Sequence, residues 1–218
     1  VVLGNTDNSF TGAVTITNGT AGQYTYLSTA NIGNAGQNSS LGKNGTINIG
    51  SGTSTAFTTL TYTGTGETSD KVINLAGTTG GAILDQSGTG NLKFTSAITA
   101  TGVGAKTITL TGSTAGTGEL AGAISNQGAN AISLTKSGSG TWTLSGNNSY
   151  TGATTISGGT LATSGNNVLA DDGTVNIGSG ATFKLGGNDA VGALIGATNA
   201  GTTLNLQGNT LTVGGTGL

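Results

Sequence analysis

Eight carboxylates are the candidates in this chain for acid–base or metal chemistry. The 218 residues include no His and no Cys, and every basic residue is a lysine. A Ser–His–Asp triad, a Cys–His pair and a zinc site with nitrogen and sulfur ligands are therefore excluded. What remains is carboxylate catalysis or calcium binding, for which the candidates are Asp7, Glu67, Asp70, Asp85, Glu119, Asp171, Asp172 and Asp189.

Only Asp171 and Asp172 are adjacent, and a turn explains them better than a site does. Asp172 precedes Gly173, and Asp-Gly is a common turn sequence. A similar segment earlier in the chain has Lys43 and Asn44 at these two positions, so neither negative charge is retained there. We therefore predict no catalytic residue, no metal site, no cofactor and no enzymatic activity.

The remaining motifs give weaker signals. Glu67 and Asp70 flank Lys71, which we interpret as a solvated charge cluster. Trp142 could stack on a sugar ring. However, it alternates with Thr141 and Thr143 as an inward-facing residue of a strand would, so we predict that it lies in the core. The sequon Asn18-Gly19-Thr20 is expected by chance at this Asn and Thr content. No phosphate loop of the form G-x-x-x-x-G-K-[ST] and no calcium-binding nonapeptide occurs.

The charge balance argues against two classes of partner. Six scattered lysines and a net charge of −2 form no basic patch, so we expect no nucleic acid partner. No apolar run approaches the ~18 residues of a membrane helix, so we expect no membrane span in this segment. The absence of Cys is compatible with export from a bacterium, where a free thiol risks oxidation.

Short alternations of apolar and polar residues run through the whole chain, as expected for half-buried strands. The predicted strands are Ala13–Thr17, Thr46–Ile49, Thr58–Thr63, Lys71–Leu75, Ala82–Leu84, Leu92–Phe94, Thr107–Leu110, Ile132–Leu134, Thr141–Leu144, Thr154–Ile156, Thr174–Ile177, Thr182–Leu185, Thr203–Leu206 and Thr210–Val213. No segment keeps a helical period over three turns, which predicts an all-β protein. Disorder is the alternative, and the low net charge and the alternation disfavour it.

The strand spacing fits a sandwich, an antiparallel barrel or a β-solenoid, and internal repetition favours the solenoid. Residues 8–16 match residues 148–156, and residues 41–52 match residues 169–180. In both copies Phe10 and Tyr150 hold equivalent places, which predicts packing at a corner. The first copy has about twelve extra residues around Gly22–Ser40, which an added coil or a surface loop would explain. At about 20–24 residues per coil, the chain would form about ten coils.

Residues 132–161 read ISLTKSGSGTWTLSGNNSYTGATTISGGTL. This segment resembles the passenger-associated transport repeat of bacterial autotransporters, which is typically a G-x-G-T-x-T-L-S-G-x-N-x-Y-T-G-x-T-x-I-x-x-G-T-L run. The resemblance implies a right-handed parallel β-helix that is exported and displayed at the cell surface of a Gram-negative bacterium.

The two ends of the chain, joined, rebuild the same motif more loosely. Gly215-Thr216-Gly217-Leu218 followed by residues 1–12 aligns with residues 138–152 if one residue is inserted. We therefore predict that residues 1–218 form a single β-solenoid segment, either one period of a longer tandem array or a unit that associates end to end. The predicted inter-unit junction consists of Val1, Val2, Leu3, Leu211, Val213 and Leu218.

These features predict a structural repeat unit of an extracellular fibre, stalk or surface filament. The alternative is an adhesin or a glycan-binding surface. A polysaccharide lyase would need acids clustered with basic residues, which this chain lacks. Ice binding would need T-x-T rows in register over many coils, and the rows at Thr59–Thr63 and Thr107–Thr111 are scattered along the sequence.

Overall fold

The computed structural model describes residues 1–17, 25–52, 55–128, 130–196 and 201–214, and these contain strands but no helix. Leu218, the sequon at residues 18–20 and residues 22–24 of the predicted insertion lie outside the described residues. The strands are β1 (Val2–Leu3), β2 (Val14–Ile16), β3 (Thr25–Thr29), β4 (Thr46–Ile49), β5 (Thr58–Tyr62), β6 (Glu67–Ser69), β7 (Val72–Leu75), β8 (Ala82–Gln86), β9 (Asn91–Phe94), β10 (Lys106–Gly112), β11 (Thr117–Leu120), β12 (Ile132–Lys136), β13 (Thr141–Leu144), β14 (Thr154–Ile156), β15 (Thr160–Thr163), β16 (Thr174–Ile177), β17 (Thr182–Lys184), β18 (Asp189–Val191), β19 (Ala193–Gly196), β20 (Thr203–Asn205) and β21 (Leu211–Val213).

The strands form the three faces of a parallel β-solenoid. The long face is a nine-stranded sheet in the order β1-β3-β5-β8-β10-β12-β14-β16-β19, and the second face is a seven-stranded sheet in the order β20-β17-β15-β13-β11-β9-β6. The third face consists of β2-β4-β7, the pair β18-β21 and isolated bridges between them. The first two coils contribute strands to the long and third faces only, and from β5 onward the chain visits the three faces in turn. Each coil contributes one strand to the long face.

The nine strands of the long face correspond to about eight turns, where the sequence predicted about ten. The turns in the first half are longer than the spacing of apolar bursts indicated. Leu27 pairs with Leu60, and Lys106 pairs with Ile132, so these turns take 33 and 26 residues. The prediction of an all-β solenoid is confirmed.

The core is a continuous column of inward-facing side chains from all three faces. In register on the long face lie Leu27, Leu60, Leu84, Leu110, Lys136, Ile156 and Ile177. Trp142 is 1% exposed in this core, as the alternation predicted, and its Nε1 donates a hydrogen bond to the Thr111 carbonyl at 2.8 Å.

Gly118 shows how closely the turns stack. It pairs with Trp142 on the second face, and a Cβ at Gly118 would lie 2.3 Å from the indole Cδ2. Cβ atoms do not approach ring carbons this closely, so only glycine fits beneath this tryptophan. Thus the glycine content reflects stacking distance between turns as well as the geometry of corners.

We expect Gly118→Ala to destabilise the fold by about 1–3 kcal/mol, because the added methyl overpacks a buried ring. Urea denaturation of the purified chain measures this loss. The control is Gly4→Ala, since a Cβ at Gly4 would meet nothing within 4 Å and should change stability by less than about 0.5 kcal/mol. Equal stability of the two variants would contradict the packing described here.

Candidate functional site

Six of the eight carboxylates accept hydrogen bonds from other residues of the protein. The donors are Asn38 Nδ2 to Asp7, backbone N–H groups to Glu67, Asp70 and Asp189, Ser87 Oγ to Asp85, and Lys93 Nζ with Ser145 Oγ to Glu119. Asp171 and Asp172 accept no hydrogen bond from any residue that the structure describes. These two adjacent acids are the exception among the eight.

Glu67, Asp70 and Lys71 fasten the loop at residues 31–44 to the side of the solenoid. Their hydrogen bonds run from the N–H groups of Ile32 and Gly33 to Glu67 (2.6 and 3.0 Å), from Ala35 N–H to Asp70 (2.7 Å), and from Lys71 Nζ to the carbonyls of Gly42 (3.0 Å) and Asn44. Lys71 is fully buried, whereas Glu67 is half-buried and Asp70 is exposed, so the prediction of a solvated cluster is wrong for the lysine. These side chains satisfy backbone groups of the loop, which forms no strand, whereas Thr25–Thr29 of the extra residues form β3 of the long face.

Three of the six lysines are buried, and each directs its amine at backbone carbonyls. Lys136 donates to Ser137 at 2.6 Å and to Gly138 and Gly158 at 3.1 Å each, while Lys106 donates to the carbonyls of Thr78, Val103 and Gly104. Burial lowers the pKa of Lys136 to about 8 and also lowers the pKa of Lys106 and of Lys71. The alternation Ile132, Leu134, Lys136 places this lysine inward, and that signal was present in the sequence.

Asn148 and Val168 lie at a polar corner on the third face. Asn148 accepts the Ile124 N–H at 2.8 Å and donates through Nδ2 to the Val168 carbonyl at 2.8 Å. One turn further on, Asp189 accepts the N–H groups of Val168 and Leu169, each at 3.2 Å. Burial raises the pKa of Asp189, and the hydrogen bonds from backbone N–H groups oppose that rise. We interpret Asn148 and Asp189 as ladder residues that hold successive turns together.

The hydroxyl rows on the outside of the long face are in register, contrary to the sequence-based expectation. Strand pairing aligns Thr59, Thr109, Thr135 and Thr155, with Ile83 interrupting the row. The rows appeared scattered because the number of residues per turn varies along the chain. The interruption by an apolar side chain leaves no continuous hydroxyl array.

The Asp171-Asp172 pair lies in a turn beside an open cleft. Gly173 N–H donates to the Ala170 carbonyl at 2.9 Å, which confirms the predicted turn. The cleft has a volume of about 480 Å³, and its polar lining comprises Asn147, Ser149, Thr151, Asn167, Asp171 and Asp172. Asn167 has a positive φ of 51°, which few residues other than glycine adopt. We refer to this feature as the 147–173 cleft.

The two sequence copies share their strand register and one side-chain hydrogen bond, although they lie on different faces. In the first copy Val14 pairs with Ile47, and in the second copy the equivalent residues Thr154 and Val175 pair in the same register. Asn8 Nδ2 donates to the Ser40 carbonyl at 3.1 Å, as Asn148 Nδ2 does to that of Val168. We call this repeated unit the corner module. Its first copy consists of residues 8–16 and 41–52, and its second copy consists of residues 148–156 and 169–180. The solenoid uses it on more than one face.

The predicted junction residues lie at the two ends of the described solenoid. Val1 and Val2 are each 73% exposed, and β1 forms the outer edge of the long face. At the other end Val213 is 49% exposed, in a strand that pairs only with β18. Leu3 and Leu211 are half-buried and pack against the core. No contact between units is described, so the junction stays a prediction.

The protein is a repetitive β-solenoid, and most of its buried polar side chains form hydrogen bonds with backbone groups at its corners. The family model of the passenger-associated-transport-repeat matches residues 1–20 and 134–162, the same two regions that the resemblance and the joined ends indicated. The chain is therefore similar to this repeat over these two segments. Comparisons with the curated proteins and with the solved structures found no match.

No helix among the described residues is long and apolar enough to cross a membrane. No three acidic side chains in the described ranges are grouped as a metal ion would require.

The buried amine of Lys136 predicts a pH dependence of stability. Its pKa of about 8 in the folded state lies below the usual 10.5, so between these values the unfolded chain binds more protons. Stability should therefore rise with pH, by about 1–2 kcal/mol from pH 7.5 to 9.5 for this residue. Urea denaturation at both pH values measures the rise.

In that experiment Lys136→Met should reduce the rise with pH, whatever its effect on stability at pH 7.5. Lys106 and Lys71 contribute in the same direction, so some dependence should persist in the variant. Lys184 is exposed, and Lys184→Met should leave the rise intact. If Lys136→Met and Lys184→Met showed the same dependence, the amine would not be held as described.

Proposed function

We propose that this chain is a structural repeat segment of an autotransporter-like passenger, displayed outside a Gram-negative cell as part of a fibre or stalk. The single observation that carries the proposal is the unbroken set of parallel ladders from β1 to β19, built on a segment that matches the passenger repeat. A solenoid extends by adding turns, and each turn contacts only its neighbours, so length is the property it provides most directly.

A structural role rather than an enzymatic one is favoured by how the charged groups are used. Six carboxylates already accept hydrogen bonds, and the three buried lysines donate to backbone carbonyls instead of to acids. In the described ranges no buried amine donates to an acid, and the serine hydroxyls that donate to Asp85 and Glu119 have no histidine to act as a base, since the chain contains none. We also propose the right-handed coil that the family resemblance implies, since crossovers between parallel strands of one sheet are almost always right-handed.

The solenoid is proposed to continue end to end through its exposed terminal edges. Ser28 N–H donates to the Val1 carbonyl at 2.9 Å, and Val2 is the residue paired with Ser28. In a parallel ladder, Val2 then directs its own N–H and carbonyl away from β3, towards the open edge. A further turn of the same polypeptide or of a second copy would pair there, as an unpaired edge favours.

Adhesion is the second candidate function, and one feature favours it. The 147–173 cleft leaves the Asp171 and Asp172 carboxylates without a partner among the described residues, which a purely structural turn does not require.

Surface display is the decisive test of the proposed function. Antibodies raised against residues 1–218 should label intact, unpermeabilised cells of the native organism in electron microscopy, with label extending outward from the outer membrane. Antibodies against a cytoplasmic protein provide the control and should label only permeabilised cells. Label confined to the cell interior would contradict the proposal.

A further inference from the structure

The first copy of the corner module closes the space between its two strands with its own side chains. The Phe10 ring lies directly on Gly42, whose φ is +65° and whose missing Cβ would be 2.7 Å from two ring carbons. Lys43 N–H donates to the Phe10 carbonyl at 2.8 Å, and Asn44 Nδ2 donates to the Thr11 carbonyl at 3.1 Å. One ring and two hydrogen bonds therefore fill the position that corresponds to the 147–173 cleft.

In the second copy the ring is withdrawn from this position. Ala170 replaces Gly42 and does not adopt the positive φ of that glycine, so the backbone of the turn differs between the two copies at this residue. Tyr150, the counterpart of Phe10, is 2% exposed, and its hydroxyl pairs with the Thr154 hydroxyl at 2.6 Å. Val14 stands at the position of Thr154 in the first copy and has no hydroxyl. The inward position of Tyr150 is thus stabilised by a partner that only the second copy has.

Both closing hydrogen bonds are also absent from the second copy. Asp172 replaces Asn44, and a carboxylate has no N–H to donate to the Thr151 carbonyl. No hydrogen bond joins residues 149–152 to residues 170–173 within the described ranges. The cleft lining offers acceptors, the carboxylates of Asp171 and Asp172, and also donors, the side-chain amides of Asn147 and Asn167. An occupant that pairs with the two carboxylates must supply hydrogen-bond donors.

The size of the cleft indicates a polyatomic occupant. A volume of about 480 Å³ lies within the range of ligand pockets and is far larger than the space around one ion, whose oxygen ligands lie about 2.3–2.6 Å away. Ala170 lines the cleft and offers apolar contact for the face of a ring, whereas Leu169 is 4% exposed and belongs to the core. The two carboxylates would repel an acidic ligand. A ring with hydroxyl donors around its rim and no negative charge meets all three conditions.

We propose that the 147–173 cleft binds a pyranose ring of a neutral glycan, with Asp171 and Asp172 accepting hydrogen bonds from its hydroxyls. The ring would lie over Ala170, in the place that Phe10 occupies on Gly42 in the first copy. This inference goes beyond the structural function proposed above and does not depend on it. If the chain bound no glycan, the proposed structural role would still stand.

The test is an array of neutral oligosaccharides built from glucose, galactose, mannose or N-acetylhexosamine units, together with sialylated, sulfated and uronate-containing oligosaccharides. The chain should bind at least one neutral oligosaccharide and should not bind the acidic ones. Titration calorimetry with the bound oligosaccharide then gives the affinity. Asp172→Asn should weaken it at least tenfold, because the amide can close the cleft by donating to Thr151, as Asn44 does to Thr11.

A second variant, A170G/D171K/D172N, imports the turn of the first copy and should abolish binding. This turn is already part of the folded chain at residues 41–45, which supports correct folding, and unchanged circular dichroism would establish it. Asp85→Asn removes one negative charge from the long face and should leave the affinity unchanged.

The proposal would be overturned if the chain bound no neutral oligosaccharide at millimolar concentration, or if the A170G/D171K/D172N variant bound as well as the natural chain. Equal binding of acidic oligosaccharides would also overturn it. So would a calorimetric signal with calcium chloride alone that Asp172→Asn abolished, in the absence of any glycan binding.

Discussion

The constraint on which the whole structure depends is the pairing of every turn with the turns above and below it. Parallel strands approach to about 4.8 Å, and each backbone N–H and carbonyl must find a partner at that spacing. The complete absence of proline follows, since proline would remove a ladder donor. Gly118 follows as well, because it leaves room for Trp142 on the next turn. Where the backbone leaves the ladder at corners, buried lysine, asparagine and acidic side chains supply the missing partners.

Regular strands were predictable from the sequence, and every one of the fourteen predicted strands is present with small changes at its ends. The seven that were not predicted are β1, β3, β6, β11, β15, β18 and β19. Several of them lack a clear alternation of large apolar residues, as in the Thr-Gly-Glu-Leu of β11, and are strands because their neighbours impose the pairing. Register was beyond prediction for a related reason, since turns of different length hide the alignment of Thr59 with Thr109.

The candidate site was only partly predictable. The Asp-Gly turn at Asp172 was predicted from residue type. That this turn borders an open cleft became evident only from comparison with the closed structure of the first copy. The opening of the cleft depends on coupled differences between the copies: alanine for glycine, aspartate for asparagine, and a tyrosine hydroxyl with a threonine to receive it. Each difference alone is conservative, and only their shared location shows that one module is closed and the other open. The prediction of a solvated cluster at Glu67 and Lys71 failed at the lysine for a different reason. The sequence does not reveal that the loop at residues 31–44 folds back onto the side of the solenoid and covers Lys71.

Disulfide trapping tests the stacked register most directly, because the natural chain has no cysteine. Thr109 and Thr135 are paired on adjacent turns, so their Cα separation of about 4.8 Å lies within the range that a disulfide bridges. The account predicts that the T109C/T135C variant forms an intramolecular disulfide readily on mild oxidation. It predicts that T59C/T109C does not, because these positions lie two turns and about 10 Å apart. Failure of the first pair, or equally fast formation in the second, would contradict the stacked solenoid.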